Sequence, residues 1–362
     1  VVQELFKSQT RKAKTAPTER DAKHSVLAQG KWVKIRVPST GFYAITAEAA
    51  KKVGFNDISK VKVYGYGGAL QPEVLDGNYL SETDDLKEIP TYQNGNKKVF
   101  FAQGPVSWSS PTITTRTLNT YSLYGYYFLT EGDEPMTMNI DDFTKKYYPS
   151  NGDYHALYEK DEFSWYHGGR NFYESSPITS SGKTYSLPTA GHCANGQLAV
   201  TVTADAIANV SVEFNGTSVG SITVPKPAAY AKANVGTRVF TVDNIAASNS
   251  IKLVTGSSAT VRLDNITLTF KEPTPMVDLN GPSVKEPEYV AHIDNQDLHA
   301  DSIYQMVIIV PENEKVKSQA MRLKELHEKE GMRVKVVPAY ELYHEFSSGT
   351  PDANAYRRYM KM

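Results

Sequence analysis

The stretch MVIIVP at positions 306–311 decides the fold of the C-terminal part of this chain. Met306–Val310 is a short apolar run bounded by proline, which predicts a strand buried on both faces. The charged segment Glu312–Glu330 repeats its apolar residues at intervals of three and four, which predicts an amphipathic helix, and Gly331 suits its C-cap. The residues expected to face inward are Val316, Ala320, Leu323 and His327. A second strand, Arg333–Val337, follows, so the order strand, helix, strand predicts a right-handed parallel crossover.

The segment EFSSGTPD, Glu345–Asp352, comes next and predicts the start of another helix. Thr350 is expected to cap this helix, Pro351 to fit its first turn, and Asp352 to suit its positive end. The residues expected on one side of it are Tyr356, Tyr359 and Met360. Because two parallel strands bury too little core to stand alone, we expect residues 303–362 to be the beginning of a larger α/β domain. The chain is then the front part of a longer protein.

Composition narrows the classes of function. The 362 residues suffice for two or three domains, and a net charge of −1 with 22% charged residues does not suit a nucleic-acid binder. Cys193 is the one cysteine, so no internal disulfide can form, and no apolar run is long enough for a transmembrane helix. The chain starts at Val1 without a visible signal peptide, so we expect an export signal to have been removed.

The preceding residues predict two β-rich domains. Residues 1–25 are predicted to be a polar arm with a basic cluster at Lys7, Arg11, Lys12 and Lys14, either solvated or a lone helix packed on the next domain, with binding to a membrane surface or polyanion as the minor alternative. Residues 26–150 are predicted to form the first domain. Alternation in Trp32–Val37 predicts a half-buried strand, and Phe42–Thr46 is expected to return beside it as a hairpin partner.

Longer and more regular strands predict a β-sandwich or jelly roll over residues 151–272. Asn215-Gly216 between alternating segments is a strong hairpin signal. Residues 273–302 are rich in proline and predict an extended linker, and residues 303–362 hold the α/β piece. The predicted fold is therefore mainly β with a C-terminal α/β piece.

Several polar groups are candidate sites. Asp84-Asp85 and Asp141-Asp142 are interpreted as solvated loop residues, because neither pair belongs to a calcium loop. The loose group Asp294, Asp297, His299 and Asp301 leaves a weak possibility of a metal site, so the metal-binding residues are unknown.

Two further candidates involve histidine. His192-Cys193 suggests a nucleophile and its base, but neighbours on a strand point to opposite faces, so a structural role is favoured. His167 or Arg170 could contact a partner, whereas the favoured interpretation is an ion pair of Arg170 with Glu174 or Glu159 that fixes a loop.

Sequence patches along the chain resemble the gingipain family of cysteine peptidases, in its type IX secretion sortase-like branch. They are MVIIVPENEK, GMRVKVVPAYELYHEFSSGTPDANAYRRYMKM, SVLAQGKWVKIRVPSTGFYAIT, VKVYGYGG and NTYSLYGYYFLT. The resemblance implies that residues 303–362 begin a caspase-like peptidase domain. The catalytic pair of that family is a His in a Gly-His-Gly setting and a later Cys. No position here matches either, so we assign no catalytic residue, no cofactor-binding residue and no cofactor.

The resemblance implies the N-terminal, non-catalytic region of a secreted gingipain-like peptidase or sortase-like transpeptidase. Such a region would support, mask or position the downstream peptidase domain and would itself be inactive. Its partners would be that domain and protein substrates, with no nucleic acid, in an exported, periplasmic or cell-surface location. The alternative is a surface binding or adhesion module for a glycan or protein, built on Tyr-rich β-sandwich faces. A hydrolase that uses carboxylate pairs of the first domain is a weaker third hypothesis.

Overall fold

The computed structural model describes residues 22–166, 171–189 and 194–362. Its earlier strands are β1 (Trp32–Val37), β2 (Gly41–Thr46), β3 (Val61–Tyr64), β4 (Glu88–Ile89), β5 (Thr91–Asn94), β6 (Lys97–Ala102), β7 (Val106–Ser107), β8 (Thr117–Leu118), β9 (Gly125–Glu131) and β10 (Thr137–Met138). Its later strands are β11 (His155–Glu159), β12 (Lys183–Pro188), β13 (Asn195–Ala204), β14 (Ala208–Phe214), β15 (Thr217–Val224), β16 (Asn234–Asp243), β17 (Ser248–Thr255), β18 (Val261–Phe270), β19 (Glu288–Ile293), β20 (Met306–Val310) and β21 (Val334–Pro338).

The α-helices are shorter and fewer. They are α1 (Ala47–Lys52), α2 (Gly77–Thr83), α3 (Ile140–Tyr147), α4 (Glu314–Lys329), α5 (Ala339–Phe346) and α6 (Ala353–Lys361). Short 3₁₀ turns occur at Val26–Ala28, Ile58–Lys60, Asn151–Tyr154 and Leu298–Ala300. In the part of the chain that the structure describes, no helix combines the length and the apolar character needed to cross a bilayer.

The described residues form two compact units. The first unit contains residues 22–105, Tyr121–Met138 and Lys285–Met362, and the second contains Val106–Thr120 and Asn139–Val284. The predicted fold class, mainly β with a C-terminal α/β piece, is confirmed. The domain boundaries drawn from the sequence remain a prediction.

The first unit contains two β-sheets around an apolar core. Their strand orders are β19-β1-β9-β3-β4 and β10-β5-β6-β2. The predicted hairpin of β1 with β2 is wrong, because β1 pairs with β9 and β19 while β2 pairs with β6. Inward side chains of both strands, such as Ile35 and Ile45, belong to one core cluster. β1 and β2 therefore pack against the same core, but they lie in different sheets and do not pair with each other.

The segment predicted as an extended linker contains a strand. β19 pairs antiparallel with β1, so Glu288 lies opposite Arg36 and Ile293 opposite Trp32. The prolines at 273, 275, 282 and 287 all precede this strand, which leaves the backbone N–H groups of β19 free to pair.

The C-terminal crossover is confirmed. β20 and β21 pair in parallel around α4, and Gly331 adopts φ 86° just after the helix. The predicted inward stripe is correct at Ala320, which is buried, but wrong at Val316 and Leu323, which are each 43% exposed. A sheet of two described strands covers only a narrow line of the helix surface.

Three details of the last segment differ from the prediction. The run Ala339–Phe346 forms α5, which the sequence interpretation missed. Asp352, and not Thr350, caps α6, because its Oδ1 accepts from the backbone N–H of Asn354 at 2.8 Å. Tyr359 is buried, whereas Met360 is exposed.

The second unit is a β-sandwich, as predicted. Its main sheets have the orders β11-β18-β13-β16 and β12-β17-β14-β15. The hairpin of β14 and β15 is confirmed, with positive φ at Asn215 (49°) and Gly216 (82°). Between the sheets lies an aliphatic core that includes Leu198, Val212, Leu253 and Leu268.

Candidate functional site

The segment Glu345–Asp352, which we call the junction segment, is almost completely buried in the first unit. Glu345 and Ser348 are 0% exposed, and Thr350 and Asp352 are 2% exposed. Buried polar side chains need partners, because leaving one unsatisfied costs about 1–3 kcal/mol. The hydrogen bonds of this segment therefore determine what it holds in place.

The Glu345 carboxylate at the end of α5 accepts four hydrogen bonds. They come from the Gln296 side-chain amide (2.8 Å), the Leu298 backbone N–H (2.8 Å), the His299 backbone N–H (3.1 Å) and His299 Nδ1 (2.6 Å). The Nε2 atom of His299 faces the carbonyl oxygen of Asp84 at 3.0 Å. Both ring nitrogens thus face acceptors, which favours the doubly protonated imidazolium.

The electrostatics of His299 agree with this geometry. Burial lowers the pKa of His299, but the hydrogen bond and the charge of Glu345 outweigh burial, so the pKa is raised above its ordinary value of 6.5. The ring also stacks on Phe346 at a centroid distance of 4.8 Å. The result is a buried, fully bonded ion pair.

The middle of the junction segment is a turn in the left-handed region. Ser348 has φ 52° and Gly349 has φ 73°. A Cβ atom at Gly349 would lie 2.8 Å from Cζ of Phe128 and 3.0 Å from Cε of Lys34, so the position requires glycine for space as well as for conformation. This turn brings the segment against β1 and β9.

Side chains of the turn bond the backbone after β3. Ser348 Oγ accepts from the N–H groups of Tyr66 (3.0 Å) and Gly67 (3.3 Å) and donates to the Tyr126 carbonyl (3.1 Å). Thr350 Oγ1 donates to the Gly67 carbonyl (3.3 Å). Two sequence patches that resemble one family, VKVYGYGG and EFSSGTPD, are therefore in direct contact.

Arg358 and Asp352 extend the network from α6. The Arg358 guanidinium is 4% exposed and donates to the carbonyl of Phe346 (2.9 Å) and to the hydroxyl of Tyr66 (3.2 Å), and it also contacts the carbonyl of Thr83. Asp352 Oδ2 accepts from the Gln71 N–H (3.1 Å). Sequence reasoning missed Gln71, Gln296 and Arg358, because no local pattern marks a polar residue whose partner is distant in the chain.

The polar residues Asp297, His299 and Asp301, considered above as a weak metal site, bond separate partners. Asp297 bonds His24 and the Ser25 N–H, His299 bonds Glu345, and Asp301 bonds Lys335 and Tyr359. Over the described ranges, no group of three or more metal-ligating side chains comes together.

The two aspartate pairs have local structural partners. Asp85 accepts from the Val26 N–H at 2.7 Å, and Asp84 contacts the Ala22 N–H, so both anchor the first described residues. Asp141 and Asp142 lie in the first turn of α3, where a helix favours negative charge.

The histidine and cysteine candidates His167, Arg170, His192 and Cys193 lie outside the described residues. The two carboxylates expected to pair with Arg170 have described partners in the second unit. Glu159 accepts from Arg116 Nε at 2.8 Å, and Glu174 lies 2.7 Å from Lys183 Nζ. Glu174 also accepts from the hydroxyl groups of Tyr158 and Tyr185.

Part of the chain matches a known protein family, and its fold is similar to that of a solved structure. Residues 299–362 match the family model described as Peptidase family C25. The fold is similar to the crystal structure of dimeric latent PorU from Porphyromonas gingivalis, with a TM-score of 0.77 and 24% identity over 94% of this chain. The resemblance to the gingipain family is confirmed. The chain spans 40% of the length of that PorU chain.

Part of the chain also matches carbohydrate-binding modules at much lower TM-scores. CBM35 from Cellvibrio japonicus Abf62 gives 0.24 at 12% identity, covering 34% of this chain and 94% of that one. CBM36 in complex with calcium and xylotriose gives 0.21 at 18% identity, covering 32% and 98%. Likeness at this level does not bear on function. The search of curated proteins found no match.

Proposed function

We propose that this chain is the N-terminal, non-catalytic region of an exported gingipain-like cysteine peptidase or sortase-like transpeptidase. In this role the first unit positions the start of the peptidase domain. The observation that carries the proposal is the buried junction segment, which belongs to the family-matched residues 299–362 and bonds the backbone after β3. A region that supports the catalytic domain needs such a fixed attachment.

The chemistry of the described residues agrees with a supporting role. Acyl transfer requires a nucleophile beside a base, together with donors for the oxyanion. Ser348 Oγ is buried and bonded to three backbone groups, so it is not available for attack. The partners in this proposal are the downstream peptidase domain of the same chain and its protein substrates.

An activity measurement tests this proposal. The 362-residue chain is expected to hydrolyse no peptide or ester substrate, whereas the parent protein with its downstream domain does. Turnover by the chain that persists at constant purity would contradict the proposal, and Cys193→Ala would then test whether Cys193 is the nucleophile. In the parent protein, Glu345→Ala is expected to lower activity, while Glu314→Ala on the exposed side of α4 leaves it unchanged.

A second candidate function is a surface binding module on the second unit. The observation that favours it is a set of exposed aromatic side chains, since such rings suit sugar stacking. They are Tyr166, Phe172 and Tyr230. A glycan array tests this candidate, with binding lost in Tyr230→Ala as the supporting result. An array with no signal above background would remove it.

A further inference from the structure

Lys34 on β1 carries an ammonium group without a protein acceptor. Its Nζ lies 4.3 Å above the centroid of the Tyr126 ring, and in the described ranges it forms no hydrogen bond and no ion pair within 4.0 Å. The side chain is half-buried. A partly desolvated cation that lies over an aromatic face and has no carboxylate within 4.0 Å lacks the close ion pair that would stabilise its charge most.

Two other cationic side chains of the first unit have the hydrogen-bond acceptors that Lys34 lacks. Arg36, two residues further along the same face of β1, lies 4.0 Å from the Tyr124 ring centroid but also bonds Glu288 at 2.7 Å. Lys98 is 0% exposed and donates to the carbonyls of Ser59 (3.0 Å) and Val61 (2.6 Å). Like Arg36, Lys34 lies against a tyrosine ring, and it is less buried than Lys98, but it has neither the carboxylate partner of Arg36 nor the carbonyl acceptors of Lys98.

The surroundings place Lys34 at the carboxyl ends of the parallel strands. Glu312, two residues after β20, acts on the Lys34 amine by its charge, and Lys34 acts in the same way on His344 of α5, the helix that follows β21. Gly349 lies against the Lys34 stem, because a Cβ there would be 3.0 Å from Cε. In open α/β sheets, ligands bind outside the carboxyl ends of the strands.

We propose that Lys34 is a binding residue for the carboxylate of a ligand that lies over Tyr126 at the carboxyl ends of β20 and β21. The carboxylate supplies the missing acceptor, and the ring supplies an apolar surface for the group that carries it. Burial lowers the pKa of Lys34 to about 8, with the charge of Glu312 opposing, so an arriving anion would raise this pKa again.

The proposed peptidase function narrows the ligand class to a peptide. The carboxylate is then an acidic side chain or a free C-terminus, and this identification rests on the proposed function. The proposal that Lys34 binds a carboxylate does not rest on the proposed function, because it follows from the unpaired ammonium of Lys34 and the position of that group. Binding of small carboxylates and peptidase activity are therefore tested separately.

The binding test uses the 362-residue chain labelled with ¹³C at lysine Cε, with the Lys34 signal assigned by its loss in Lys34→Met. The probes are N-acetyl-glutamate amide, N-acetyl-glycine and neutral N-acetyl-glycinamide. We expect one or both carboxylate probes to shift the Lys34 signal and to raise its titration midpoint, and the neutral probe to do neither. Which carboxylate binds distinguishes a side chain from a C-terminus.

A matched variant and a stability measurement complete the test. Lys62→Met removes a lysine of β3 that is paired with Glu88. Measured by isothermal titration calorimetry, probe binding should be kept in Lys62→Met and weakened at least tenfold in Lys34→Met. Because an unpaired ammonium disfavours the folded state, Lys34→Met should also raise the melting temperature by about 2–4 °C. Probes that leave the Lys34 signal unmoved, or a lowered melting temperature with unchanged binding, would overturn the proposal.

Discussion

Both units have an apolar core and buried charged groups, and they differ in what those groups hold in place. In the second unit Glu174, which is 3% exposed, bonds Tyr158, Tyr185 and Lys183. The core of the second unit is a continuous apolar cluster between two sheets, mostly aliphatic, with side chains such as Leu253 and Val212 at 0% exposure. The first unit has an apolar core as well, but its C-terminal residues are held by buried charged and polar groups, of which Glu345, His299 and Arg358 are the main ones. Apolar contacts tolerate exchange of one side chain for another of similar volume, whereas a bonded polar network permits one arrangement of its partners.

The largest effect is expected from Glu345→Ala. Loss of the carboxylate leaves the imidazolium of His299 and two backbone N–H groups without their acceptor, so the first unit should lose about 3–5 kcal/mol of unfolding free energy. Urea denaturation measures this loss. Glu314→Ala, at a side chain 91% exposed, is the control and should stay within about 0.5 kcal/mol. A loss below about 1 kcal/mol for Glu345→Ala would mean that the network contributes little.

Conservative substitutions compare the two units directly. Leu253→Met in the sandwich keeps the volume and should cost less than about 1.5 kcal/mol. Glu345→Gln keeps the shape but removes the charge opposite His299, so it should cost about 1.5–3 kcal/mol. The same denaturation experiment measures both. Equal costs would show that the polar network is no more demanding than the aliphatic core.

Glycine replacements in the first unit should have effects no larger than that of Glu345→Gln. Gly349→Ala combines a positive φ with a Cβ 2.8 Å from Phe128, and we expect it to cost about 2–3 kcal/mol. Gly331→Ala is the matched control, since it has a positive φ but no atom within 4 Å, and should cost about 1 kcal/mol. Differential scanning calorimetry gives both values. A penalty at Gly331 as large as that at Gly349 would contradict close packing of the turn.

The smallest effect is a dependence on pH. The raised pKa of His299 stabilises the folded state fully below its unfolded value of 6.5, and this stabilisation is lost as the pH rises through the folded value. The advantage of the wild-type chain over His299→Gln should therefore be largest below pH 6.5 and decrease above it. Burial lowers the pKa of His344, so this residue makes the folded state more stable as the pH rises. His344 is present in the wild-type chain and in His299→Gln, so its effect cancels in the comparison.

Denaturation series at several pH values measure this difference. His292→Gln, at an exposed position of β19, serves as the control and should keep the wild-type profile. An advantage over His299→Gln that grows with rising pH would contradict the assignment of an imidazolium bound to Glu345.

The sequence predicted what depends on local pattern. Alternating apolar and polar residues predicted the strands of the sandwich, and Asn215-Gly216 predicted its hairpin. The apolar runs at 306–310 and 333–337 predicted the parallel pair of β20 and β21. The pairing of β1 with β19 was not predictable, because it joins residues more than 250 positions apart. The same holds for the bonds of Ser348 to Tyr66 and of Glu345 to Gln296, since a polar residue carries no local signal of the partner that satisfies it.

Hydrogen exchange across the intact chain tests most directly whether the junction segment fixes the C-terminal residues to the first β layer. Exchange is measured in the wild-type chain and in Glu345→Ala. We predict that the substitution lowers protection in residues 61–71, 295–301 and 339–362, and leaves the sandwich strands β13, β14, β17 and β18 as protected as before. Unchanged protection in residues 61–71, or an equal loss in the sandwich, would contradict the account.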